Sequence, residues 1–184
     1  TTLLYPAWLP GNHAPRGPID KLAGLVIRAN GEVLPWTRDP VDVFAFHVDV
    51  PQGAANLDVQ FQFVSPTAAP QGRIVVTPEM LNLQWNAVAL YPAGYYTRRI
   101  TVDPSVRLPA GWGYGTALET ASTEGGVARF KPVNFETLVD SPMFAGRHFR
   151  QVDLDPGGTR PPVRLNIVAD TAEALAAKPE HIQF

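Results

Sequence analysis

Apolar and polar side chains alternate through residues 56–64, which read Asn56-Leu57-Asp58-Val59-Gln60-Phe61-Gln62-Phe63-Val64. Successive side chains of a β-strand point to opposite faces, so the four apolar residues from Leu57 to Phe63 share one face. The aspartate and the two glutamines between them meet water on the other face. This pattern predicts a strand with one wet face, as is common in antiparallel sheets.

The segments on either side extend this β pattern. Upstream, Leu22–Ala29 and Glu32–Trp36 flank Asn30-Gly31, a dipeptide suited to a tight turn with positive φ, and together they predict a hairpin. Between this hairpin and residue 56, Asp42–Val50 carries apolar residues at both alternating sets of positions. We expect a strand there with both faces partly covered.

The rest of the chain favours more short strands over helices. The 19 prolines and 15 glycines leave little room for long helices, because helix interiors tolerate neither residue well. Two short helices are predicted, at Asn134–Val139 with Asn134 as N-cap and at Thr171–Ala177 with Thr171 as cap. The further predicted strands are Arg73–Thr77, Trp85–Tyr91, Thr97–Val102, Thr116–Glu119, Val127–Lys131, His148–Leu154 and Val163–Ala169. The expected fold is mainly β, an antiparallel β-sandwich or saddle-like sheet with one or two short helices.

Composition excludes several classes of function. Lysine plus arginine number 15 against 17 acidic residues, without a basic cluster, so we expect no nucleic-acid partner. The chain has no cysteine, which excludes disulfides, thiolate metal ligands and a thiol nucleophile. Its longest apolar runs, such as Leu22–Ile27, are far shorter than the roughly 20 residues that cross a bilayer. We therefore expect no membrane span.

The sequence holds no complete catalytic motif. The zinc-hydrolase motif HExxH is absent, and the four histidines are not spaced one helical turn apart. Strand alternation allows His47 and Asp49 to face one way as metal ligands, but a solvated or edge pair is the favoured interpretation. Carboxylate pairs for glycoside hydrolysis stay open, because such partners need only meet in space. The available carboxylates include Glu79, Glu119, Glu136 and Asp140.

Nucleophile and phosphate-loop motifs are also incomplete. No serine stands in a G-x-S-x-G elbow, and Ser141, in Asp140-Ser141-Pro142, suits the turn that ends a helix. The segment Gly111-Trp112-Gly113-Tyr114-Gly115 lacks both the G-x-G-x-x-G spacing and a P-loop lysine. We interpret it as a turn held by aromatic packing.

Six separated blocks resemble, in order and spacing, the N-terminal domain of the glycyl-aminopeptidase-type zinc metallopeptidases, the sixty-first metallopeptidase family. The most specific is Phe135-Glu136-Thr137-Leu138-Val139-Asp140-Ser141-Pro142. The others are Tyr5-Pro6-Ala7-Trp8-Leu9-Pro10-Gly11-Asn12-His13 with the following Arg16, Asn30-Gly31-Glu32 with Leu34-Pro35-Trp36, Leu90-Tyr91-Pro92-Ala93-Gly94, Leu108-Pro109-Ala110-Gly111-Trp112, and Gly146-Arg147-His148-Phe149. The family's early block commonly has an acidic residue just after the arginine, whereas Gly17-Pro18 follows Arg16 here.

The resemblance implies that the chain is one domain of a longer polypeptide whose catalytic site lies in another domain. Residues 1–170 would form the N-terminal β domain, and residues 171–184 a helix-prone segment leading to a missing catalytic domain that carries HExxH and zinc. The fragment itself would hold no cofactor and no catalytic residues. Its partners would be that catalytic domain and, at the cleft, a peptide substrate. Such parents are often bacterial, and the sequence leaves cytoplasm and periplasm open.

Three polar residues are the candidates for the cleft or the domain interface: Arg16, Asp140 and Ser141. A purely structural interpretation competes with this one, in which Asp140 and Ser141 cap a turn and Arg16 pairs locally. The alternative function is a stand-alone carbohydrate-binding module, because a β-sandwich with exposed tryptophan and tyrosine rings has a similar composition.

Overall fold

The structure is a computed structural model that describes residues 1–9, 11–154, 158 and 163–176. Its regular elements are, in chain order, β1 (Thr2–Leu4), β2 (Leu22–Ala29), β3 (Glu32–Leu34), β4 (Trp36–Arg38), β5 (Ala45–Val48), β6 (Asp58–Phe63), β7 (Met80–Leu83), β8 (Tyr91–Pro92), β9 (Thr101–Val102), β10 (Ser105–Arg107), β11 (Gly113–Thr116), β12 (Thr120–Glu124), β13 (Val127–Phe130), β14 (Val133–Asn134), α1 (Phe135–Val139), β15 (Met143–Gly146), β16 (His148–Asp153) and β17 (Arg164–Ala169). Short 3-10 turns lie at Ile19–Lys21, Ala69–Gln71, Trp85–Ala87, Thr97–Arg99 and Glu173–Leu175. The prediction of a mainly β fold with antiparallel sheets is confirmed.

The chain divides into two compact units, each built from two stretches of sequence. Unit 1 comprises Thr1–Ser65 and Gln84–Ile100, and unit 2 comprises Pro66–Leu83 and Thr101–Phe184. The chain crosses between the units three times, after β6, after β7 and just before β9. The predicted domain boundary at residue 170 is a different division and stays a prediction.

Unit 1 contains a four-stranded sheet of order β4-β5-β1-β8 and a three-stranded sheet of order β3-β2-β6, both antiparallel. The strand predicted at Asn56–Val64 forms as β6, and its exposure alternates residue by residue as the pattern requires. The predicted hairpin also forms, with Asn30 at φ 51° and Gly31 at φ 84° in the turn between β2 and β3. These left-handed dihedral angles explain why asparagine and glycine stand there.

Both sheets of unit 1 contribute side chains to its core. Tyr5 and Ile27 are its largest fully buried side chains, and Phe46 and Val48 reach it from β5. His47, between those two, points to the exposed opposite face. The other buried members of this core are Leu3, Leu25, Ala29 and Leu34.

Among its described residues, unit 2 contains four antiparallel groups of strands: β10-β13-β12, β11-β15-β7, β14-β9 and β16-β17. Strand β15 is central in its sheet, and its Met143 and Ala145 have no exposed surface. The predictions at Val127–Lys131, His148–Leu154 and Val163–Ala169 are confirmed as β13, β16 and β17, each one residue shorter.

Four strand predictions are wrong, because the composition of a segment does not show whether a distant strand pairs with it. Trp85–Tyr91 begins with a 3-10 turn whose three residues are buried, and only Tyr91–Pro92 pairs as a strand. Thr97–Val102 likewise opens with a 3-10 turn and yields only β9. Thr116–Glu119 is mainly the connection between β11 and β12, and Arg73–Thr77 contributes only an isolated bridge from Val76 to Leu81.

The strand predicted at Asp42–Val50 is real but shorter. Only Ala45–Val48 is β5, because the Asp39 carboxylate holds the preceding residues in a turn by accepting hydrogen bonds from the N–H groups of Val41 and Asp42, both at 2.8 Å. The hairpin strand predicted to reach Trp36 ends at Leu34, since Trp36 belongs to β4 and pairs with β5.

The aromatic turn predicted at residues 111–115 is also only partly right. The turn is confined to residues up to Trp112, and Gly113–Thr116 is strand β11. A Cβ added at Gly113 would lie 2.5 Å from the Phe149 ring, and one at Gly115 would lie 2.3 Å from the Asn166 side chain. These glycines therefore let side chains of β16 and β17 approach the strand closely.

One of the two predicted helices forms as predicted. Asn134 Oδ1 accepts a hydrogen bond of 2.9 Å from Thr137 N, which makes it the N-cap of α1. At the second site Thr171 Oγ1 accepts from Ala174 N at 3.3 Å, but the turn there is a 3-10 turn over Glu173–Leu175. Ala177, the predicted end of that helix, lies outside the described residues.

Candidate functional site

Arg16 lies in an exposed loop of unit 1. The loop is folded back on itself by a bridge between Trp8 and Pro15 and by a 3.0 Å hydrogen bond from Gly17 N to Ala7 O. A Cβ added at Gly17 would lie 1.9 Å from Pro6 O, so no side chain fits there. The close packing explains why glycine, and not an acidic residue, follows Arg16 in this chain.

Asp140 and Ser141 lie together at the end of α1, in unit 2. Asp140 is exposed, and its backbone N–H donates to Glu136 O at 3.0 Å. Ser141 is only 5% exposed; its hydroxyl donates to Thr137 O at 2.7 Å, and its own carbonyl accepts from Thr116 Oγ1 at 3.2 Å. These bonds make Ser141 part of the helix end, whereas the Asp140 carboxylate is presented to solvent. The candidate cleft residues thus come from different units.

His47 is an exposed histidine of unit 1, and its side chain pairs with Asp39 and not with Asp49. His47 Nε2 lies 2.8 Å from Asp39 Oδ2, and Thr2 Oγ1 lies 3.0 Å from His47 Nδ1. The His47 hydrogen bond, with two backbone N–H bonds, lowers the pKa of Asp39 to about 2. Thr2 and His47 stand directly opposite each other in the β1–β5 register, so this is a cross-strand network.

The described residues offer no metal centre, because none of them form a set of three or more histidine, aspartate or glutamate side chains able to hold an ion. Unit 2 does place His148 near Glu79, at 3.9 Å, but Glu79 is engaged by Arg147 Nε at 2.7 Å. This carboxylate therefore forms an ion pair on the surface. None of the helices among the described residues could span a lipid bilayer.

Unit 2 contains a pocket of about 430 Å³. Between Leu108–Trp112 on one side and the β12–β13 hairpin on the other, it is lined by uncharged residues, which are Leu108, Pro109, Ala110, Gly111, Trp112, Tyr114, Thr123, Gly125, Gly126 and Ala128. We call it the Trp112 pocket. Sequence reasoning selected residues 108–115 as a family block and an aromatic turn, but could not find the pocket, because its other wall comes from a hairpin more distant in the chain.

Comparison with known proteins places the chain in a family. The Peptidase M61 N-terminal domain family matches residues 1–147. A solved structure, an aminopeptidase N family protein from Idiomarina loihiensis, is similar with a TM-score of 0.71 at 18% identity. The likeness covers 95% of this chain and 30% of that protein's chain, and at this identity it shows the fold.

No curated protein sequence matches the chain. The family match covers five of the six blocks quoted above completely and the sixth in part, and it extends through both units. The chain therefore belongs to the Peptidase M61 N-terminal domain family.

Proposed function

We propose that this chain is the non-catalytic N-terminal domain of a zinc-dependent aminopeptidase that preferentially removes N-terminal glycine or alanine. The domain would pack on the catalytic domain of the same polypeptide and shape one side of its active-site cleft. The family match over residues 1–147 carries this proposal. The chain spans 30% of the length of its aminopeptidase N family neighbour, which is consistent with one domain of a larger enzyme.

The residues of this chain also favour a supporting role. HExxH is absent from its sequence, and the described residues form no three-ligand metal set. Zinc chemistry, in which the ion activates water for attack on the peptide bond, would thus belong to the other domain. This chain would form one side of the active-site cleft. It would limit the length of the substrate and provide polar groups that bind it.

Arg16 and Asp140 are the proposed contacts with substrate or with the catalytic domain. Both are exposed, and each is proposed separately: the Arg16 guanidinium would suit a carboxylate, and the Asp140 carboxylate would suit an amino group. Ser141 would act only indirectly, since its buried hydroxyl holds the helix end that presents Asp140.

Anilide hydrolysis with zinc present tests the proposal. The full-length gene product should cleave glycyl and alanyl anilides faster than leucyl anilide, and a chelator should abolish the activity. The 184-residue chain alone should cleave none of them. Hydrolysis by this chain alone would contradict the non-catalytic assignment, whereas equal rates on leucyl anilide would contradict only the preference for small residues.

The cleft contacts are tested in the full-length protein with Arg16→Ala and Asp140→Ala. We expect a several-fold rise in KM with kcat nearly unchanged, which is typical of lost substrate binding. Arg73→Ala and Asp49→Ala, exposed residues of the same charges, are the matched controls. If the controls change KM equally, the effect is general electrostatics. If the full-length protein cleaves no aminoacyl substrate, glycan-binding screens on this chain test the carbohydrate-binding alternative.

A further inference from the structure

The Trp112 pocket owes its shape to glycine-dependent turns. Leu108 N donates to Gly126 O at 2.9 Å, which ties the pocket's first wall to the β12–β13 hairpin. Gly111, Gly125 and Gly126 have φ values of 80°, 56° and 76°, and a Cβ added at Gly111 or Gly125 would meet nothing within 4 Å. The rim is therefore low and open, so that a ligand's backbone can approach it.

The Tyr114 side of the pocket is held by a ring contact and by hydrogen bonds between hydroxyl groups. The Tyr114 ring meets Phe130 edge to face, with ring centroids 5.9 Å apart and planes at 87°. Its hydroxyl lies 3.1 Å from Thr120 Oγ1 and 3.4 Å from Thr123 Oγ1. The hydroxyl groups of this wall are therefore already engaged with one another.

The indole N–H of Trp112 lacks a hydrogen-bond acceptor among the described residues. Its Nε1 is buried and, within the described part of the chain, has no hydrogen-bond acceptor, a state that no other buried side-chain nitrogen or oxygen there shares. The ring itself is half-buried and lines the pocket. A covered N–H can meet a ligand's oxygen only if the indole turns, so occupancy of the pocket should be coupled to rotation of this ring.

We infer that the Trp112 pocket binds a short uncharged peptide segment. An apolar side chain of the segment enters the pocket, and the Trp112 N–H, once turned, donates to one of its backbone carbonyl oxygens. The inference goes beyond the proposed function, because it assigns this pocket a ligand whether or not the rest of the polypeptide is a peptidase. The volume of about 430 Å³ lies within the range of pockets that hold small ligands.

The chemistry of the lining favours a peptide over a sugar. A sugar ring carries several hydroxyl groups, and burying them requires as many partners. The lining contains no carboxylate, amide or guanidinium side chain, and its tyrosine and threonine hydroxyls bond to each other. If the indole turns, the Trp112 N–H offers one donor beside apolar walls, which matches a single carbonyl next to an apolar side chain. A charged side chain would lose its hydration there without a partner.

Indole resonances in ¹⁵N–¹H spectra of the 184-residue chain test the inference. The four tryptophans give four such signals, and that of Trp112 is the one missing from Trp112→Phe. Titration with N-acetyl-leucine amide or N-acetyl-phenylalanine amide should shift the Trp112 signal most. N-acetyl-aspartate amide, N-acetyl-lysine amide and N-acetylglucosamine should bind at least tenfold more weakly.

Two variant pairs separate the pocket from general effects. Trp112→Phe should weaken binding of the apolar amides at least tenfold, whereas Trp36→Phe, whose indole donates to Leu25 O in unit 1, should leave it unchanged. Thr123→Phe places a ring in the pocket from an exposed strand position and should also block binding. Ala121→Phe, exposed on the same strand but outside the lining, is its control.

The inference is overturned by any of four results: no saturable shift with the apolar amides, equal binding by Trp112→Phe, equal binding by Thr123→Phe, or tighter binding of N-acetylglucosamine than of either amide. The last result would assign the pocket to a sugar. Because Thr123→Phe changes an exposed residue, it keeps the test decisive even if Trp112→Phe does not fold.

Discussion

Two half-buried tryptophans, Trp36 in unit 1 and Trp112 in unit 2, differ in the hydrogen bonding of their indole N–H groups. Trp36 Nε1 donates to Leu25 O at 3.1 Å, and its ring meets Phe46 edge to face at 5.5 Å. Trp112 Nε1 is buried without an acceptor in the described residues. The Trp36 N–H is therefore satisfied within unit 1, whereas the Trp112 N–H is not satisfied by any described residue. The difference is that the Trp36 N–H contributes a hydrogen bond to the fold, whereas the Trp112 N–H does not, which is why we proposed a ligand for the Trp112 pocket.

The largest expected effect is the loss of stability when a side chain is added at Gly17, where the loop of unit 1 is closely packed. Gly17→Ala would place a Cβ 1.9 Å from the backbone oxygen of Pro6, which can move only if the loop moves. Gly113→Ala in unit 2 would place a Cβ 2.5 Å from the Phe149 ring and 2.8 Å from Phe149 Cβ, a shallower overlap that rotation of the ring relieves only in part. We expect losses of unfolding free energy of about 3 kcal/mol and about 1 kcal/mol respectively, because overpacking costs depend on what must yield. Urea denaturation of both variants measures them, and equal losses would remove this contrast.

Tyr5→Phe tests the contribution of a buried hydrogen bond to the stability of unit 1. The Tyr5 hydroxyl donates to Ala87 O at 2.9 Å in a side chain that is 1% exposed. Removing it leaves that carbonyl without the bond, at an expected cost of about 1–3 kcal/mol in urea denaturation. Tyr95→Phe, at an exposed tyrosine of the same unit, should cost almost nothing.

The same residue should make unit 1 sensitive to alkali. Burial, and then the nearby charge of Asp20, raise the pKa of Tyr5 above its ordinary value of 10.0. A raised pKa in the folded state means that its contribution to stability is full below pH 10.0 and is lost as pH rises further. Tyr5→Phe should flatten this decline. It should not abolish it, because burial also raises the pKa of Tyr91.

Trp36→Phe and Trp112→Phe test the opening comparison directly. Both variants remove the same atoms, but the first also removes a bond and leaves the Leu25 carbonyl without it. Trp36→Phe should therefore lower the unfolding free energy by about 1 kcal/mol more than Trp112→Phe does. Thermal and urea denaturation give this difference. A larger loss at Trp112 would mean that its indole is structurally completed after all.

The smallest expected effect concerns acid. The His47 hydrogen bond is the largest cause of the low pKa of Asp39, about 2 against an ordinary 3.8. A lowered pKa contributes stability that is present above pH 3.8 and lost as pH falls toward 2. His47→Gln should reduce this acid dependence slightly, since the backbone bonds to Asp39 remain. His13→Gln, at another exposed histidine, should leave the acid transition in place.

Local signals in the sequence were sufficient for part of the fold. Alternation at residues 56–64, Asn30-Gly31 and the N-cap at Asn134 each depend on neighbours in the chain, and each prediction is confirmed. The prediction at Trp85–Tyr91 failed because a buried 3-10 turn carries the same apolar residues as a strand. Burial there depends on packing partners that local sequence does not name.

The candidate site could be predicted even less. Residues 108–115 stood out by composition, but whether the Trp112 indole finds an acceptor depends on the fold around it. The partner of His47 was also missed: Asp39 lies eight residues away, beyond the strand, and only the turn that it organises brings it back. Arg16 and Asp140 remain predictions that the proposed KM measurements address.

The contact between Gly17 and Pro6 also limits how this sequence can change over evolutionary time. A single-base change can turn a glycine codon into an aspartate codon and so restore an acid after Arg16. Here such a change would collide with the backbone at Pro6 before its charge could have any effect. Only a lineage that first shifted the Pro6–Ala7 segment could accept the acid. The two sites are therefore epistatic, and the order of substitutions decides which paths stay open.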